Sequence, residues 1–393
     1  MRALLSSRLY ASTYTIAGSA NRSSPSQHQY FRNTIKTKGY FSSLSSFASV
    51  DGVPITDAAK LQCSVWDMTF QRGDGVFEVC RVVPSSSSIP DDNMNITDSK
   101  MSTKETAKPR CINLHLDRLE RSAAAINLKI PPRNQLEQWL RDAAKAATSM
   151  ESNTADYGIL RCIITRGGGF PGYGDHLGES LDAPSKTFIM WQPITQFQQI
   201  FKLLPICAPW HPGGFGQKQK GGYSNDDDND EDYNNEWSAI KWLSYGFNVH
   251  TTRLSRTKGF DDALLLARGY GVPDDDTTAQ SNDNRVVLDG PNFALAWITH
   301  DNTFCTPCWK QLGLLQSTTC TIAIDAARRI GYDVQEGIYR LADIKKDAKA
   351  VWVMSTTRNL IPVVSIGDFH IPTDFELQSL LVSAMDGIIA ETP

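Results

Sequence analysis

The residue of this sequence best suited to covalent chemistry is Lys241, because it lies in an apolar stretch. The segment Ala239-Ile240-Lys241-Trp242-Leu243-Ser244-Tyr245 places a tyrosine four residues after the lysine. Burial of the ammonium group would favour the neutral amine, which attacks aldehydes and forms Schiff bases. The alternative is a lysine that buries only its aliphatic stem and keeps its charge in water. The segment alone leaves both interpretations open.

A second set of residues could bind an anion at the start of a helix. Ser317, Thr318 and Thr319 precede a stretch with helical periodicity that runs to Ile330, and Gly331 follows it. These are typical helix start and stop signals. Free N–H groups and hydroxyls at the positive end of a helix dipole attract phosphate. Ordinary capping is the alternative.

Other polar residues could complete such an anion site. Ser355-Thr356-Thr357 follows an apolar strand that ends at Met354, and hydroxyls there either face a cleft or make a turn. Arg118 could contact an anion through two N–H groups, or it could be an ordinary surface arginine.

Mixed strands and helices must position these residues. Apolar alternation and β-branched runs predict strands, and a period of 3.6 residues predicts helices. Strands are predicted at 76–83, 159–165, 261–266, 286–288, 295–299 and 350–354, and helices at 114–128, 134–148, 241–258 and 320–330. Residues 191–197 are interpreted as a connector. We therefore predict two α+β domains, 51–195 and 196–393, with Lys241 in the second.

Three polar stretches are predicted to be disordered surface loops, at 84–108, 213–236 and 271–284. They hold too few apolar residues to offset the entropy of ordering. The acidic run in the second loop lacks the ligand spacing of an EF-hand, so it predicts a solvated loop rather than a metal site.

Composition and charge limit the classes of function. The chain has 393 residues and a net charge of −4, which argues against a nucleic-acid partner. It contains no apolar run approaching 18 residues, so no membrane span is predicted. Eight cysteines are scattered along the chain. Cys305 and Cys308 form a CxxC pair that lacks the second pair or nearby His of a zinc site.

The first 50 residues are basic, Ser-rich and free of Asp and Glu, and the first acidic residue is Asp51. This composition predicts an organellar transit peptide, for the mitochondrion in preference to the plastid. The alternative is a disordered tail on a cytoplasmic protein.

The motifs occur in a recognisable order along residues 66–372. They are Arg72-Gly73-Asp74-Gly75-Val76-Phe77-Glu78-Val79, His115 to Leu119 with Ser122, Thr165-Arg166-Gly167, Ile240-Lys241 with Tyr245, Asp289-Gly290-Pro291, Thr306-Pro307, Thr318-Thr319, and Ser355-Thr356-Thr357 with Pro362-Val363. This order resembles the class IV aminotransferases, the fold type IV enzymes that use pyridoxal phosphate. The family includes branched-chain and D-amino-acid aminotransferases and aminodeoxychorismate lyase.

The resemblance implies a two-domain α+β fold, with a smaller N-terminal α/β domain and a larger C-terminal domain that has a β-barrel-like core. It also implies pyridoxal 5′-phosphate as cofactor, amino acid and 2-oxo acid substrates, and a homodimer. Lys241 matches the lysine that forms the Schiff base and moves the α-proton. The residues that match cofactor contacts are Arg118, Thr318, Thr319 and Thr356 at the phosphate, Tyr245 beside the ring oxygen, and Asp289 opposite the pyridine nitrogen. Those that match substrate contacts are Arg72, Phe77, Arg166 and Thr357.

The sequence departs from the family pattern around the cofactor. Asp289 replaces the usual glutamate and is one methylene shorter. Ala294, Ser317 and Cys320 stand where the family pattern has Asn, Gly and Arg.

The cues for substrate disagree. Tyr245 favours branched-chain enzymes, whereas Gly73-Asp74-Gly75-Val76 and Ser355-Thr356-Thr357 favour D-amino-acid aminotransferases. The glycine-rich run 166–173 resembles aminodeoxychorismate lyases, although it is equally typical of a flexible turn. We expect an aminotransferase; the alternatives are 4-amino-4-deoxychorismate lyase and a catalytically silent homologue.

Overall fold

The computed structural model of the chain describes residues 47–55, 63–83, 107–149, 158–167, 184–194, 199–208, 239–267 and 279–392. Residues 45–393 form one compact unit. The loop predicted at 213–236 and nearly all of the predicted transit peptide lie outside the described residues.

The described residues contain nine helices, which differ widely in length. They are α1 (Met68–Arg72), α2 (Ile112–Ala125), α3 (Arg133–Ser149), α4 (Gly246–Thr257), α5 (Ala279–Asn284), α6 (Trp309–Leu312), α7 (Thr318–Arg329), α8 (Leu341–Asp347) and α9 (Phe375–Glu391). None of them combines the length and the apolar character that a helix needs to cross a membrane.

The first of two sheets has six strands. They are β1 (Ala48–Val50), β2 (Val53–Ile55), β3 (Gly75–Val83), β4 (Lys108–Pro109), β5 (Gly158–Thr165) and β6 (Thr187–Pro193). Their order is β2-β1-β6-β5-β3-β4, and every neighbouring pair is antiparallel. Helices α2 and α3 bury their apolar faces against this sheet, where Leu119, Leu140 and Trp191 share one core. Burial of each such side chain stabilises the fold by roughly 1.5–3 kcal/mol.

The second sheet has eight strands and mixed pairing. They are β7 (Phe201–Cys207), β8 (Asp262–Leu266), β9 (Ala294–Thr299), β10 (Thr303–Pro307), β11 (Asp333–Gly337), β12 (Ala348–Ser355), β13 (Asn359–Ile366) and β14 (Phe369–His370). The order is β11-β10-β9-β12-β13-β7-β8, and β14 pairs with β13. Helices α7 and α9 pack together against one side of β9 and β12.

The two edges of the second sheet are linked by residues 286–288. On one side Leu288 N–H donates to the carbonyl of Leu265 in β8, at 2.9 Å. On the other side Val287 N–H donates to the carbonyl of Tyr339, just after β11, at 2.8 Å. The curled sheet agrees with the predicted barrel-like core, and the link ends at Asp289.

Four local predictions were wrong. Residues 241–245 are not helical, because their backbone pairs with β3, and α4 begins only at Gly246. Residues 191–193 belong to β6 rather than to a connector. Val286 and Val287 make isolated bridges instead of the strand predicted at 286–288. Residues 279–284, predicted as part of a loop, form α5.

Two predicted boundaries also shift. Ala48 and Ser49 are buried in β1, so the folded part starts before residue 51. Lys108, predicted to end a disordered loop, pairs with Val83. The domain boundary near residue 195 stays a prediction; β6 and β7, which flank it, belong to different sheets.

Candidate active site

Backbone hydrogen bonds from two elements fix the position of Lys241. The Lys241 carbonyl accepts from Phe77 N–H at 3.0 Å, and Leu243 N–H donates to the Gly75 carbonyl at 3.0 Å, so this segment pairs antiparallel with the start of β3. The Lys241 N–H donates to the hydroxyl of Ser122 on α2, at 3.1 Å. A lysine in a flexible loop would lack these constraints.

The Lys241 segment approaches the end of α1 so closely that position 73 must be glycine. Gly73 ends α1 in the left-handed region, with φ 71°. A Cβ at this position would collide with Ser244. Glycine is the residue that tolerates both demands without strain.

The side chain of Lys241 lies between two aromatic rings. Its Nζ is 4.4 Å from the centre of the Phe77 ring and 3.4 Å from the Tyr245 hydroxyl. Burial, together with the positive charges of Arg118 and Arg161, lowers the pKa of Lys241 to about 7, and Glu78 opposes this only in part. A large fraction of the amine is therefore neutral and nucleophilic at neutral pH.

Tyr245 is the residue that precedes α4. Its ring meets that of Phe77 edge to face, with 5.1 Å between centroids. Burial raises the pKa of the Tyr245 hydroxyl to about 12. The positive charge of Arg118 opposes this increase, and the negative charge of Asp289 adds to it. The hydroxyl therefore stays protonated and can donate a hydrogen bond.

A buried ion cluster holds Arg118. Its Nε and Nη2 donate to the two carboxylate oxygens of Glu78, at 2.6 and 2.8 Å. His115 Nδ1 lies 2.9 Å from the same carboxylate. Burial would raise the pKa of Glu78, but Arg118 and His115 hold it well below its usual range. Burial also lowers the pKa of His115, so the cluster is a carboxylate paired with one permanent cation.

Arg118 also reaches the start of α7, because its Nη1 donates to the Gln316 carbonyl at 2.9 Å. Ser317 caps α7 by accepting from Cys320 N–H at 3.2 Å. Thr318 and Thr319 form the first turn and line a small cavity with Ser355 and Thr356. These contacts use three of the five N–H groups of Arg118 and leave two that could bind an anion. Arg118, the first turn of α7 and these hydroxyls are therefore our candidate anion site.

Asp289 supplies the acidic group of the site. Its carboxylate accepts one long hydrogen bond, from Leu295 N–H at 3.4 Å. Burial raises the pKa of Asp289 to about 7, and that hydrogen bond offsets the effect only in part. The turn at 289–291 is tied to α4, because Asn248 Nδ2 donates to the Pro291 carbonyl at 2.7 Å. A carboxylate with only one long hydrogen bond can accept a further, charged hydrogen bond from a protonated ring nitrogen.

Similarity to known proteins identifies the family. Residues 101–366, more than half of the chain, match the family described as amino-transferase class IV. The chain belongs to this family. The Lys241 amine, the candidate anion site and the half-buried carboxyl of Asp289 match the aldehyde, the phosphate and the ring nitrogen of pyridoxal phosphate, so the described residues fit that cofactor.

One relative is the bifunctional aminodeoxychorismate lyase / D-amino acid transaminase of Mycobacterium tuberculosis (strain ATCC 25618 / H37Rv). It is 24% identical over 300 residues, which cover 74% of this chain and 81% of the relative.

Two solved structures show the fold. A hypothetical aminotransferase from Mycobacterium tuberculosis in its PLP-bound form has a TM-score of 0.65 at 18% identity, covering 88% of this chain and 100% of that one. The branched-chain aminotransferase of Thermoproteus uzoniensis with norvaline has a TM-score of 0.64 at 14% identity, covering 88% and 95%. The fold is therefore that of the fold type IV transaminases.

The remaining predicted substrate residues lie in different environments. Arg72 is exposed at the end of α1, and the hydroxyl of Ser244 donates to its carbonyl at 3.2 Å. Thr357 lies in the turn between β12 and β13, with its hydroxyl 3.2 Å from that of Ser355. Both assignments stay predictions.

Arg166 has protein partners for most of its guanidinium. Four of its five N–H groups are engaged, by both carboxylate oxygens of Asp74 and by the carbonyls of Ile126 and Asn127. It is also buried. The predicted role in substrate binding stays untested, and this geometry favours a role in holding the turn before β3 against α2.

Arg161 is a residue that the sequence analysis missed. It lies on β5 with its guanidinium 5.6 Å from the centre of the Phe77 ring, which Lys241 Nζ also approaches. Burial lowers its pKa, and among the described residues it has no carboxylate partner. An arginine amid the apolar residues of 159–164 was the available signal.

Proposed function

We propose that the chain is a pyridoxal-phosphate-dependent aminotransferase that moves an amino group between an amino acid and a 2-oxo acid. The observation that carries this proposal is the Lys241 amine. Its pKa is about 7, and the positive charge of Arg118, the arginine of the candidate anion site, contributes to that low value. A neutral amine beside a phosphate site is what the cofactor aldehyde requires.

When bound, pyridoxal phosphate supplies an electron sink that stabilises negative charge at the substrate Cα. Lys241 Nζ would take the proton from that carbon and return it, which a pKa near the operating pH favours. Contacts with the Phe77 ring and the Tyr245 hydroxyl restrict the conformations of the Lys241 side chain. Arg118 and the first turn of α7 would hold the phosphate, and Asp289 in its ionised form would keep a proton on the ring nitrogen.

Arg161 is our candidate for binding a substrate carboxylate. Its guanidinium faces the space beside Phe77 and Lys241, and it lacks a carboxylate partner among the described residues. A planar guanidinium binds a carboxylate through two N–H groups. Both an amino acid and a 2-oxo acid carry this group.

The proposal is tested with purified full-length protein supplied with pyridoxal phosphate. We expect a visible absorption band from bound cofactor, amino transfer from branched-chain or D-amino acids to 2-oxoglutarate, and loss of both in Lys241→Ala. Arg161→Gln should keep the band but raise KM for the oxo acid at least about tenfold, because a charged hydrogen bond is lost. A wild-type protein without the band or the transfer would indicate a silent homologue.

A second candidate is 4-amino-4-deoxychorismate lyase activity. It is favoured by the relative whose name combines that lyase with D-amino acid transamination. Pyruvate release from aminodeoxychorismate in the absence of any oxo acid would identify this activity, whereas a transaminase alone would release none.

We also infer that the protein is a homodimer, as the family resemblance implies, and that the N-terminal segment directs it to an organelle, the mitochondrion in preference to the plastid. Light scattering of the purified protein and imaging of a fluorescent fusion would test these two inferences.

A further inference from the structure

Arg110 lines the small cavity at the first turn of α7, although it has no role in the proposed function. Four of the residues around this cavity carry hydroxyls, namely Thr318, Thr319, Ser355 and Thr356. Arg110 comes from the segment between β4 and α2, and it is the only permanently charged residue among the described residues that line the cavity. Its side chain is 13% exposed. A mostly buried guanidinium is unfavourable without partners.

The backbone fixes the position of Arg110. Its N–H donates to the Arg81 carbonyl at 2.7 Å, where β4 pairs with β3. The next residue, Cys111, has a left-handed backbone with φ 50°, which is uncommon for a residue other than glycine. The chain therefore turns sharply before α2, and Arg110, Cys111 and His115 line the same cavity.

The guanidinium of Arg110 has few protein partners. Its Nη2 donates to Asp386 on α9 at 3.1 Å, and no other oxygen in the described part of the chain accepts from this side chain. Asp386 is 31% exposed, so water screens the ion pair. Burial raises the pKa of the Cys111 thiol, and the nearby charge of Arg110 opposes that increase. Since Cys111 lines the cavity, the remaining N–H groups of Arg110 are available close to it.

The two threonines in the first turn of α7 also lack partners. Thr318 and Thr319 are each 7% exposed, and neither hydroxyl has a hydrogen-bond partner among the described residues. Ser317 already caps the helix, so these hydroxyls are not needed for capping. Polar groups of buried residues that lack a partner commonly mark the place of a ligand or an ordered water.

The charges near the cavity leave Arg110 as the cation that an anion would meet. Arg118 reaches the start of α7 through the Gln316 carbonyl but does not line the cavity, and the buried carboxylate of Glu78 balances its charge. His115 lines the cavity, but burial lowers its pKa and favours the neutral ring. Arg110 therefore adds the net positive charge that a dianionic phosphate requires.

We propose that Arg110 is a second cationic contact for the phosphate of the cofactor. This inference rests on the proposed function, because it concerns the same cofactor site. Arg110, the cavity hydroxyls and the first turn of α7 would donate hydrogen bonds to the phosphate oxygens, and Arg118 would contribute from the neighbouring Glu78 pair.

The test measures binding of inorganic phosphate to full-length, cofactor-free protein by isothermal titration calorimetry at constant ionic strength. Arg110→Gln should weaken this binding at least about tenfold, because a charged hydrogen bond is lost. Arg329→Gln is the matched control, since Arg329 also pairs with α9, through Glu391 at 2.7 Å, but lies at the other end of α7. It should change the affinity less than about twofold, because water and salt screen a charge at that distance.

A second measurement compares pyridoxal phosphate with pyridoxal, which has the aldehyde but no phosphate. Arg110→Gln should weaken binding of pyridoxal phosphate, followed by its absorption band, and should leave binding of pyridoxal unchanged. Circular dichroism establishes that each variant is folded. If Arg110→Gln is not folded, Arg110→Lys serves instead; it keeps the charge but loses the planar guanidinium, and should weaken phosphate binding about threefold.

Several results would overturn the role of Arg110. They are equal phosphate affinity in the wild type and the folded Arg110 variant, equal losses in the Arg110 and Arg329 variants, a loss for pyridoxal as large as that for pyridoxal phosphate, and no phosphate binding by the wild type at millimolar concentration. The phosphate titration needs no cofactor. A wild type that binds phosphate through Arg110 but shows no cofactor band would therefore contradict the aminotransferase proposal alone.

Discussion

Lys241 and Asp289 both have pKa values near 7, and burial is the main cause in each case. Desolvation disfavours the charged form, so it lowers the pKa of the lysine and raises that of the carboxyl. The carboxyl is therefore neutral from about pH 4 to pH 7, and the amine is neutral from about pH 7 to pH 10, where each would ordinarily be charged. In the cofactor-free protein this leaves both side chains poorly satisfied.

Asp289 makes the stability of the cofactor-free protein depend on pH. Its folded-state pKa of about 7 lies above the unfolded value of roughly 3.9, so the native state binds the extra proton between these values. Stability conferred by this group is complete below about pH 4 and is lost as the pH rises to about 7. Asp289→Asn should remove that loss and be more stable than wild type by about 2 kcal/mol at pH 8, with little difference at pH 4.

Urea unfolding at the two pH values measures this difference. Asp333→Asn, at an exposed aspartate, is the control and should show no such pH dependence. A stability difference between Asp289→Asn and wild type that is the same at both pH values would contradict the burial of this carboxyl.

Residue types alone could predict only part of the site. Lys241 and the Thr318-Thr319 pair carry local signals, an apolar neighbourhood and a helix start. Glu78 was visible only as part of a motif, because its partners on α2 are about 40 positions away in sequence. Arg161 was missed because nothing in its strand reveals that Phe77 and Lys241 face it.

Among the elements, the turn at Gly73 and the Lys241 segment depend on each other. The segment was predicted to be helical because its local pattern permits a helix. Hydrogen bonds to Gly75 and Phe77, far away in sequence, impose an extended backbone instead. Helix α7 was predicted correctly because its cap and its end are local signals.

Gly73→Ala should destabilise the protein by about 2–3 kcal/mol. The substitution imposes a left-handed backbone on alanine and a collision with Ser244. Because Ser244 is three residues from Lys241, we also expect weaker binding of pyridoxal phosphate.

Gly259→Ala is the matched control. Gly259 also has a positive φ, 83°, but a Cβ there meets open space. It should cost only about 1 kcal/mol and leave cofactor binding unchanged. Unfolding in guanidinium chloride and cofactor titration measure both effects, and equal losses in the two variants would argue against the close approach at Gly73.

For the whole molecule, the order of weak motifs over most of the chain predicted the fold class. No single motif could define two sheets, since strand order depends on pairings between distant segments. β1 illustrates the limit: three residues long and placed in the basic N-terminal region, it nevertheless pairs with β6. Composition placed it with the predicted transit peptide.

Removal of residues 1–50 should therefore be more damaging than removal of residues 1–46. The longer deletion removes β1 and Phe47, which is buried in the first core. We expect an additional loss of about 2 kcal/mol or more, from one large buried side chain and the pairing to β6. Thermal unfolding of the two truncated proteins measures it, and identical midpoints would exclude a structural role for β1.

The pairing of Lys241 with β3 bears on how this chain tolerates insertions. The polar stretch 209–238 enters immediately before this lysine, yet the hydrogen bonds to Gly75, Phe77 and Ser122 decide where the amine lies. Doubling the length of a connecting segment costs only about 0.6 kcal/mol in closure entropy. Evolution can therefore lengthen or shorten that stretch while the reactive nitrogen stays in register.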